Sequence, residues 1–188
     1  MTPEKLFLKL PKIETERLIL RKLEYSDKRD IFDYSKYPEV SRYLIWKKHE
    51  TEMDTLEFLD FVMEKYKENQ PAPWGIELKE KNKIIGTIGY HEWDKKNFKA
   101  EVGYVLHCNY WQNGIMTEAL NYVIEFGFTK MYLNRIEART DPENIPSQKL
   151  LEKVGFLKEG LLREQMLVKE RFQDFFIYAI LRKEYFRK

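Results

Sequence analysis

The stretch that decides the fold is Ala100–Ala119, A-E-V-G-Y-V-L-H-C-N-Y-W-Q-N-G-I-M-T-E-A. Its first part alternates, with Val102, Tyr104 and Leu106 set against Glu101 and Gly103, which is the period of a half-buried strand. His107–Asn113 is polar and reads as a turn. From about Ile115 the period becomes helical, and Met116, Ala119, Leu120, Val123 and Gly127 lie on one face. A strand, a turn closed by Gly114 and a helix start together make an anion site. Free backbone N–H groups and the positive end of the helix dipole converge there. A residue without a side chain lets a group such as phosphate come close. The remaining sequence reads as scaffold for this site or as a wall of the cleft beside it.

Downstream, Arg135–Thr140 is a short strand followed by D-P-E-N. Asn144 is placed there to cap a helix that carries Ile145 and Pro146 in its first turn. Leu150, Leu151 and Val154 form the inner face of that helix, and Gly155-Phe156 supplies a glycine stop with an apolar residue behind it. Two strands close the chain, roughly Leu157–Val168 and Phe172–Leu181. The second is apolar on both faces and is expected inside the sheet. Upstream, Trp74–Lys79 and Lys83–Tyr90 are hairpin partners around the charged turn Glu80–Asn82. Asp94–Asn97 then turns into the central strand at about Lys99–Leu106.

The N-terminal third adds a strand at Thr15–Leu23 and a helix capped by Ser26-Asp27, which carries Ile31, Phe32 and Tyr34 and is broken by Pro38. A short helix over Val40–Leu44 and a long one over Glu50–Lys67 follow. In the long helix Leu56, Leu59, Met63 and Tyr66 form one stripe, acids crowd the first turns, and Lys65 and Lys67 sit near the end. Residues 1–12 read as a partly ordered lead-in. The order β, α, α, α, β, β, β, α, β, α, β, β has no repeat, linker or low-complexity stretch. It predicts one α/β domain over residues 1–188.

Bulk properties narrow the function further. A chain of 188 residues with 43% apolar and 15% aromatic residues can bury a real core. Charged residues at 34% with a net charge of +2 give a nearly balanced surface, which argues against a nucleic-acid partner. One cysteine cannot form an internal disulfide or a cysteine-based zinc site, and no spacing suits a metal. Met1–Leu10 has no signal-peptide run and no segment approaches a membrane span, so a cytoplasmic location and no membrane partner are expected.

Four stretches share a further pattern. They are T-E-R-L-I-L-R at Thr15–Arg21, Glu101–Leu120 with its Y-W-Q-N-G-I-M-T-E-A-L, and N-I-P-S-Q-K-L-L-E-K-V-G-F at Asn144–Phe156. The fourth is E-G-L-L-R-E at Glu159–Glu164 with D-F-F-I-Y at Asp174–Tyr178. In this order they resemble the GNAT superfamily of N-acetyltransferases, and within it the ribosomal-protein N-terminal acetyltransferases of the RimJ/RimL type. The resemblance covers most of residues 15–182. It implies an α/β fold with a central, mostly antiparallel, splayed sheet flanked by helices. It also implies acetyl-CoA as acyl donor, with coenzyme A as product, and an amine as acceptor. Two positions depart from the superfamily's phosphate loop. Trp111 stands where Arg or Gln is usual, as is common in the RimJ/RimL branch, and Met116 stands where a small residue is usual.

The resemblance also distributes roles. A backbone N–H near Leu106, with Val105 beside it, acts as an oxyanion donor, and such donors can be worth roughly 3 kcal/mol of barrier. The diphosphate rests on N–H groups of Gln112, Asn113, Gly114, Met116 and Thr117. Asn144 hydrogen-bonds the pantetheine amide as well as capping its helix. Ser147 stands near the thioester sulfur, where its hydroxyl can donate to the leaving thiolate; a first-turn serine bonded to backbone is the plain alternative. For the base, alternation puts Glu101 on one face with Gly103 and Val105, and Glu92 in H-E-W-D is the other carboxylate within reach. An α-amine with a pKa of about 7.7–8.0 needs no more than a water relay, whereas a lysine amine near 10.4 needs a stronger base. Both glutamates also read as salt-bridged strand residues, and Tyr178 as packing.

His107-Cys108 is not read as a nucleophile–base pair, because adjacent strand residues point to opposite faces. His91-Glu92 lacks the second histidine of H-E-x-x-H. The expected function is an acetyl-CoA-dependent N-acetyltransferase working by direct attack, with a protein N-terminal α-amine as acceptor. A small-molecule amine such as a polyamine, amino acid or antibiotic stays open, as does a non-catalytic acyl-CoA-binding module. Monomer and homodimer are both open.

Overall fold

The computed structural model describes residues 5–187. The strands are β1 (Ile13–Glu14), β2 (Leu18–Arg21), β3 (Pro73–Leu78), β4 (Lys83–Asp94), β5 (Lys99–Leu106), β6 (Arg135–Thr140), β7 (Leu157–Val168) and β8 (Arg171–Leu181). They form one open sheet in the order β1-β2-β3-β4-β5-β6-β8-β7. Only β5 and β6 run parallel to each other as neighbours. The helices are α1 (Lys28–Ser35), α2 (Pro38–Ser41), α3 (Glu52–Lys67), α4 (Ile115–Thr129), α5 (Ile145–Val154) and α6 (Arg182–Tyr185). As the double-sided apolar pattern requires, β8 lies inside the sheet and β7 takes the edge.

The two halves of the sheet meet over a short seam. β5 and β6 pair only where Lys99–Glu101 faces Arg135–Glu137. Beyond it each strand follows its outer neighbour. β5 stays in register with β4 as far as Leu106↔Gly86, and β6 stays with β8 as far as Thr140↔Phe176. The strands therefore splay, and the last half of β5 is left with one free edge. β4 carries a bulge opposite this region, where Tyr90 pairs with Val102 and Glu92 pairs with Glu101.

Helices cover both faces. Tyr90 donates its hydroxyl to the Val123 carbonyl of α4 at 2.8 Å. From Asp30 on α1, a carboxylate oxygen accepts the Ile84 N–H at 2.9 Å, and Thr87 bonds the Tyr34 hydroxyl. Thr87 and Tyr90 are three apart on one strand and so point to opposite faces. Trp74, Ile88, Leu59, Val123 and Phe128 are fully buried in the core, each such side chain contributing about 1.5–3 kcal/mol of transfer free energy.

Local chemistry explains the element ends. Thr51 caps α3, its hydroxyl accepting from Met53 N–H, while an Asp54 carboxylate oxygen takes the N–H groups of Glu50 and Thr51. Gly155, at φ 105°, ends α5 with the Phe156 N–H bonded back to Leu151. Some expectations shift. Pro38 opens α2 rather than breaking a helix, because a proline at the first helical position loses no hydrogen bond. The predicted Val40–Leu44 helix is accordingly replaced by Pro38–Ser41. The predicted strand Thr15–Leu23 shortens to Leu18–Arg21, and β4 runs on to Asp94. Of the expected lead-in, residues 1–4 lie outside the described residues. Leu6, Phe7 and Leu10 are buried, and Asn69 accepts the N–H groups of Phe7 and Leu8.

Candidate active site

The splay opens into a cleft of ≈ 630 Å³. Its walls come from Val40, Tyr43 and Leu44 on one side and from Asn144, Ser147 and Leu150 of α5 on the other. The end of β5 (Tyr104, Val105, Leu106) and the loop entering α4 (Gln112, Gly114, Met116, Thr117) complete it. Of the residues singled out from sequence, Glu92, Glu101, Asn113 and Tyr178 are not in this lining.

The loop end of the cleft is built from backbone. Gly114 sits at φ 73° and Gln112 at φ 61°, so the chain makes a left-handed turn into α4. No side chain caps α4. Glu118 is the first residue whose N–H bonds back, to the Gly114 carbonyl at 3.0 Å. The N–H groups of Ile115, Met116 and Thr117 therefore have no acceptor within the helix. A Cβ placed on Gly114 would meet nothing nearer than Arg17 Nη2 at 3.5 Å, which leaves the approach open. Met116 is buried in the core cluster, so its side chain packs inward and leaves its N–H at the helix start.

A residue that sequence reasoning treated only as part of a strand, Arg17, holds this loop. Its Nε donates to Glu118 Oε2 at 2.7 Å and its Nη1 to the Asn113 carbonyl at 2.9 Å. Glu118 also accepts from the Arg17 N–H and the Thr15 hydroxyl. Burial alone would raise the Glu118 pKa, but these donors outweigh it and hold the carboxylate ionised. A negative charge in the first turn of α4 is thereby engaged by the T-E-R segment. The signal was present in T-E-R and T-E-A, but nothing in sequence separation suggested that they meet.

The β5 edge supplies the middle of the cleft. The His107 N–H bonds the Ile85 carbonyl at 2.8 Å, on the β4 side. Backbone groups alternate along a strand, so the Leu106 N–H points to the free edge. The Leu106 carbonyl on that edge is taken by Trp111 Nε1 at 2.8 Å, which gives the unusual Trp111 a structural task. Opposite, Asn144 Oδ1 accepts the Ser147 N–H at 3.2 Å, so the N-cap forms as its position required. Ser147 Oγ lies 2.8 Å from Tyr104 Oη. Burial pushes the Tyr104 hydroxyl up to about 12, with the Ser147 bond partly opposing it, so the pair stays protonated near neutrality. Tyr104 was read from sequence only as an apolar strand position.

On the other face of β5 the chemistry is ionic. Both Glu101 oxygens accept from Arg139 Nε at 2.9 Å, and Arg139 Nη2 reaches Glu101 at 2.6 Å. Glu92 is largely exposed and lies 3.6 Å from the same arginine. Tyr178 is buried and donates to Glu152 at 3.2 Å, so it packs rather than lining the cleft. The β7–β8 hairpin crosses to α2, where Lys169 Nζ donates to the Ser41 carbonyl at 2.7 Å.

With this geometry in hand, comparison with known proteins is specific. A family model described as an acetyltransferase (GNAT) domain matches residues 17–157. The chain belongs to the GNAT acetyltransferases. It is 39% identical over 171 residues to an uncharacterized N-acetyltransferase, p20, of Bacillus licheniformis, spanning 91% of this chain and 96% of that one. It is 26% identical over 180 residues to the ribosomal protein uS5-alanine N-acetyltransferase of Escherichia coli, with 91% and 92% covered. Among solved structures, spermidine N-acetyltransferase from Vibrio cholerae, in complex with CoA and spermine, superposes with a TM-score of 0.78. It covers 92% of this chain and 99% of that one at 24% identity, a likeness of fold.

As a GNAT acetyltransferase the chain is an N-acetyltransferase, which removes the binding-module alternative. The cleft fits the family's acyl donor, with open backbone N–H groups at one end for anionic oxygens and a mostly apolar lining beside β5. One premise from sequence changes. His107 and Cys108 lie in a turn rather than a strand, and His107 Nδ1 comes within 3.6 Å of the Cys108 sulfur. Burial still pushes the Cys108 thiol up, so it is not an activated nucleophile. Among the described residues no His/Cys/Asp/Glu group could hold a metal, and no helix is long and apolar enough to cross a membrane.

Proposed function

We propose that the chain transfers acetyl from acetyl-CoA to a protein N-terminal α-amine by direct attack, without a covalent enzyme intermediate. The observation that carries this is the splay cleft, which joins the uncapped start of α4 to the free edge of β5. In this reading Gln112, Asn113, Gly114, Met116 and Thr117 hold the diphosphate through backbone N–H groups, with the Asn113 carbonyl held by Arg17. Val105 and Leu106 line the thioester, and Leu106 N–H is the oxyanion donor. Asn144 and Ser147 meet the pantetheine arm and the sulfur. Direct attack is favoured because the cleft offers no activated nucleophile. Ser147 is bonded to a tyrosine, and Cys108 is held as a thiol.

The α-amine is favoured by likeness to the uS5-alanine enzyme along most of both chains and by the engagement of Glu101 with Arg139. An amine that is partly deprotonated near neutrality does not need a free carboxylate base. The test is thiol release from acetyl-CoA with peptides beginning Ala or Ser, a lysine side-chain peptide blocked at its terminus, and spermidine. Faster turnover of the α-amine peptides supports the proposal. Preference for spermidine or the blocked peptide overturns it.

A further inference from the structure

We propose that Tyr104 is a positioning residue that turns the Ser147 hydroxyl onto the departing sulfur of the acyl donor. The assignment rests on the acetyl-transfer reading above and adds Tyr104 to it. Its basis is one contact that crosses the splay. Tyr104 comes from β5, and Ser147 from the first turn of α5, which follows β6. Their hydroxyl oxygens lie 2.8 Å apart, and both residues line the cleft.

The two hydroxyls carry two protons, and the bond between them uses one. Among the described residues neither hydroxyl has another partner, so one proton is left over. A bond from Ser147 to the carbonyls of its own helix, the usual habit of a first-turn serine, does not form. The phenol is the more acidic hydroxyl, so Tyr104 donates and the Ser147 oxygen accepts. The proton left over is then the serine's, and the open side of the pair is the cleft. Accepting from Tyr104 also polarises the Ser147 O–H and makes it the better donor.

Ser147 is held at both ends. Asn144 Oδ1 takes its backbone N–H at 3.2 Å, and Tyr104 holds its side chain. Without the tyrosine hydroxyl, the serine is free to turn back to the carbonyls at the start of α5. Leu106 lies two residues beyond Tyr104 on the same strand, with its N–H on the free edge. β5 thus offers one donor to the thioester carbonyl directly and, through Ser147, a second to the sulfur.

In the transfer, the lone pair of the neutral amine forms the C–N bond to the thioester carbon. The C–S bond breaks with its electron pair on sulfur, where the Ser147 O–H meets it with a hydrogen bond. The nitrogen sheds one proton to water, and the thiolate takes one from water. Tyr104 and Ser147 keep their own. Burial pushes the Tyr104 hydroxyl up to about 12. A thiol sits near 8.5, so full transfer from the phenol is uphill by ~10³-fold. The pair lends a bond rather than a proton, and that bond strengthens as charge develops on sulfur.

The test uses bound coenzyme A, whose thiol reports a facing donor without any turnover. Thiolate absorbance is titrated with CoA bound to wild type, Tyr104→Phe and Ser147→Ala. A donor at the sulfur stabilises the thiolate, so the bound thiol should titrate at about 7.5 in wild type and at about 8.5 in both variants. In turnover with the fastest α-amine peptide, Ser147→Ala should lose about 30-fold in kcat and Tyr104→Phe about tenfold. KM for acetyl-CoA should stay within about twofold. The double variant should be no slower than Ser147→Ala, because Tyr104 acts through the serine. Urea midpoints control for folding, and if Tyr104→Phe does not fold, Tyr104→Met takes its place. A wild-type bound thiol at about 8.5, a silent Ser147→Ala, or losses that multiply to about 300-fold in the double variant overturn the role of Tyr104 and leave acetyl transfer standing. A wild-type chain that binds CoA and acetylates no amine overturns both.

Discussion

The cleft and the ionic face of β5 behind it are made of different material. The end at Gly114 is made of backbone, with N–H groups left open by geometry and a loop held from outside by Arg17. The ionic face at Glu101, Arg139 and His91 is made of side chains whose states are set by one another. Backbone recognition tolerates side-chain exchange, which is why Trp111 and Met116 stand at departures from the superfamily pattern without closing the site. Trp111 bonds the strand, and Met116 is buried. A side-chain site has no such tolerance.

The sharpest way to break this contrast is Gly114→Glu. A side chain at φ 73° is strained, and its carboxylate would lie where anionic oxygens are expected. Affinity for CoA, measured by calorimetry, should fall by about 100-fold or more; retention within about tenfold would show that the diphosphate does not rest there. Next in size is Arg17→Ala, which frees the Glu118 carboxylate at the start of α4. The KM for acetyl-CoA should rise about tenfold, as expected from the loss of a charge-assisted bond, with kcat near wild type. Arg17→Lys should recover only part, because a lysine lacks the fork that reaches both Glu118 and Asn113. A fall in kcat at unchanged KM would mean the clamp acts on the chemistry instead.

The smallest effect on activity belongs to Glu101→Gln. With Arg139 holding both oxygens, kcat/KM should stay within about threefold at pH 7. Losing the charge of the close Arg139 partner should cost about 1–3 kcal/mol of stability, read as a lower urea midpoint. A loss of activity of about 100-fold would make the carboxylate the base and bring the ionic face into the chemistry.

Much of this was legible in the chain. The period change at His107–Ile115 located the loop, N-I-P-S placed the cap and the serine in one helical turn, and the apolar character of Phe172–Leu181 put that strand inside. These are local features, set by periodicity and capping over a few residues. What was missed is non-local. Arg17 and Glu118 are 101 residues apart, Tyr104 and Ser147 are 43 apart, and Glu101 and Arg139 are 38 apart.

His91 shows the limit most clearly. Alternation alone cannot foresee that β4 gains a residue against β5, yet that one-residue shift lays the imidazole over Gly103. Sequence by itself determined the elements, their order, the loop that suits an anion and the family they compose. Tertiary structure decided which charges neutralise each other and which groups share the free edge of β5. Pairing energies depend on distance in space, and the chain reports only distance along itself.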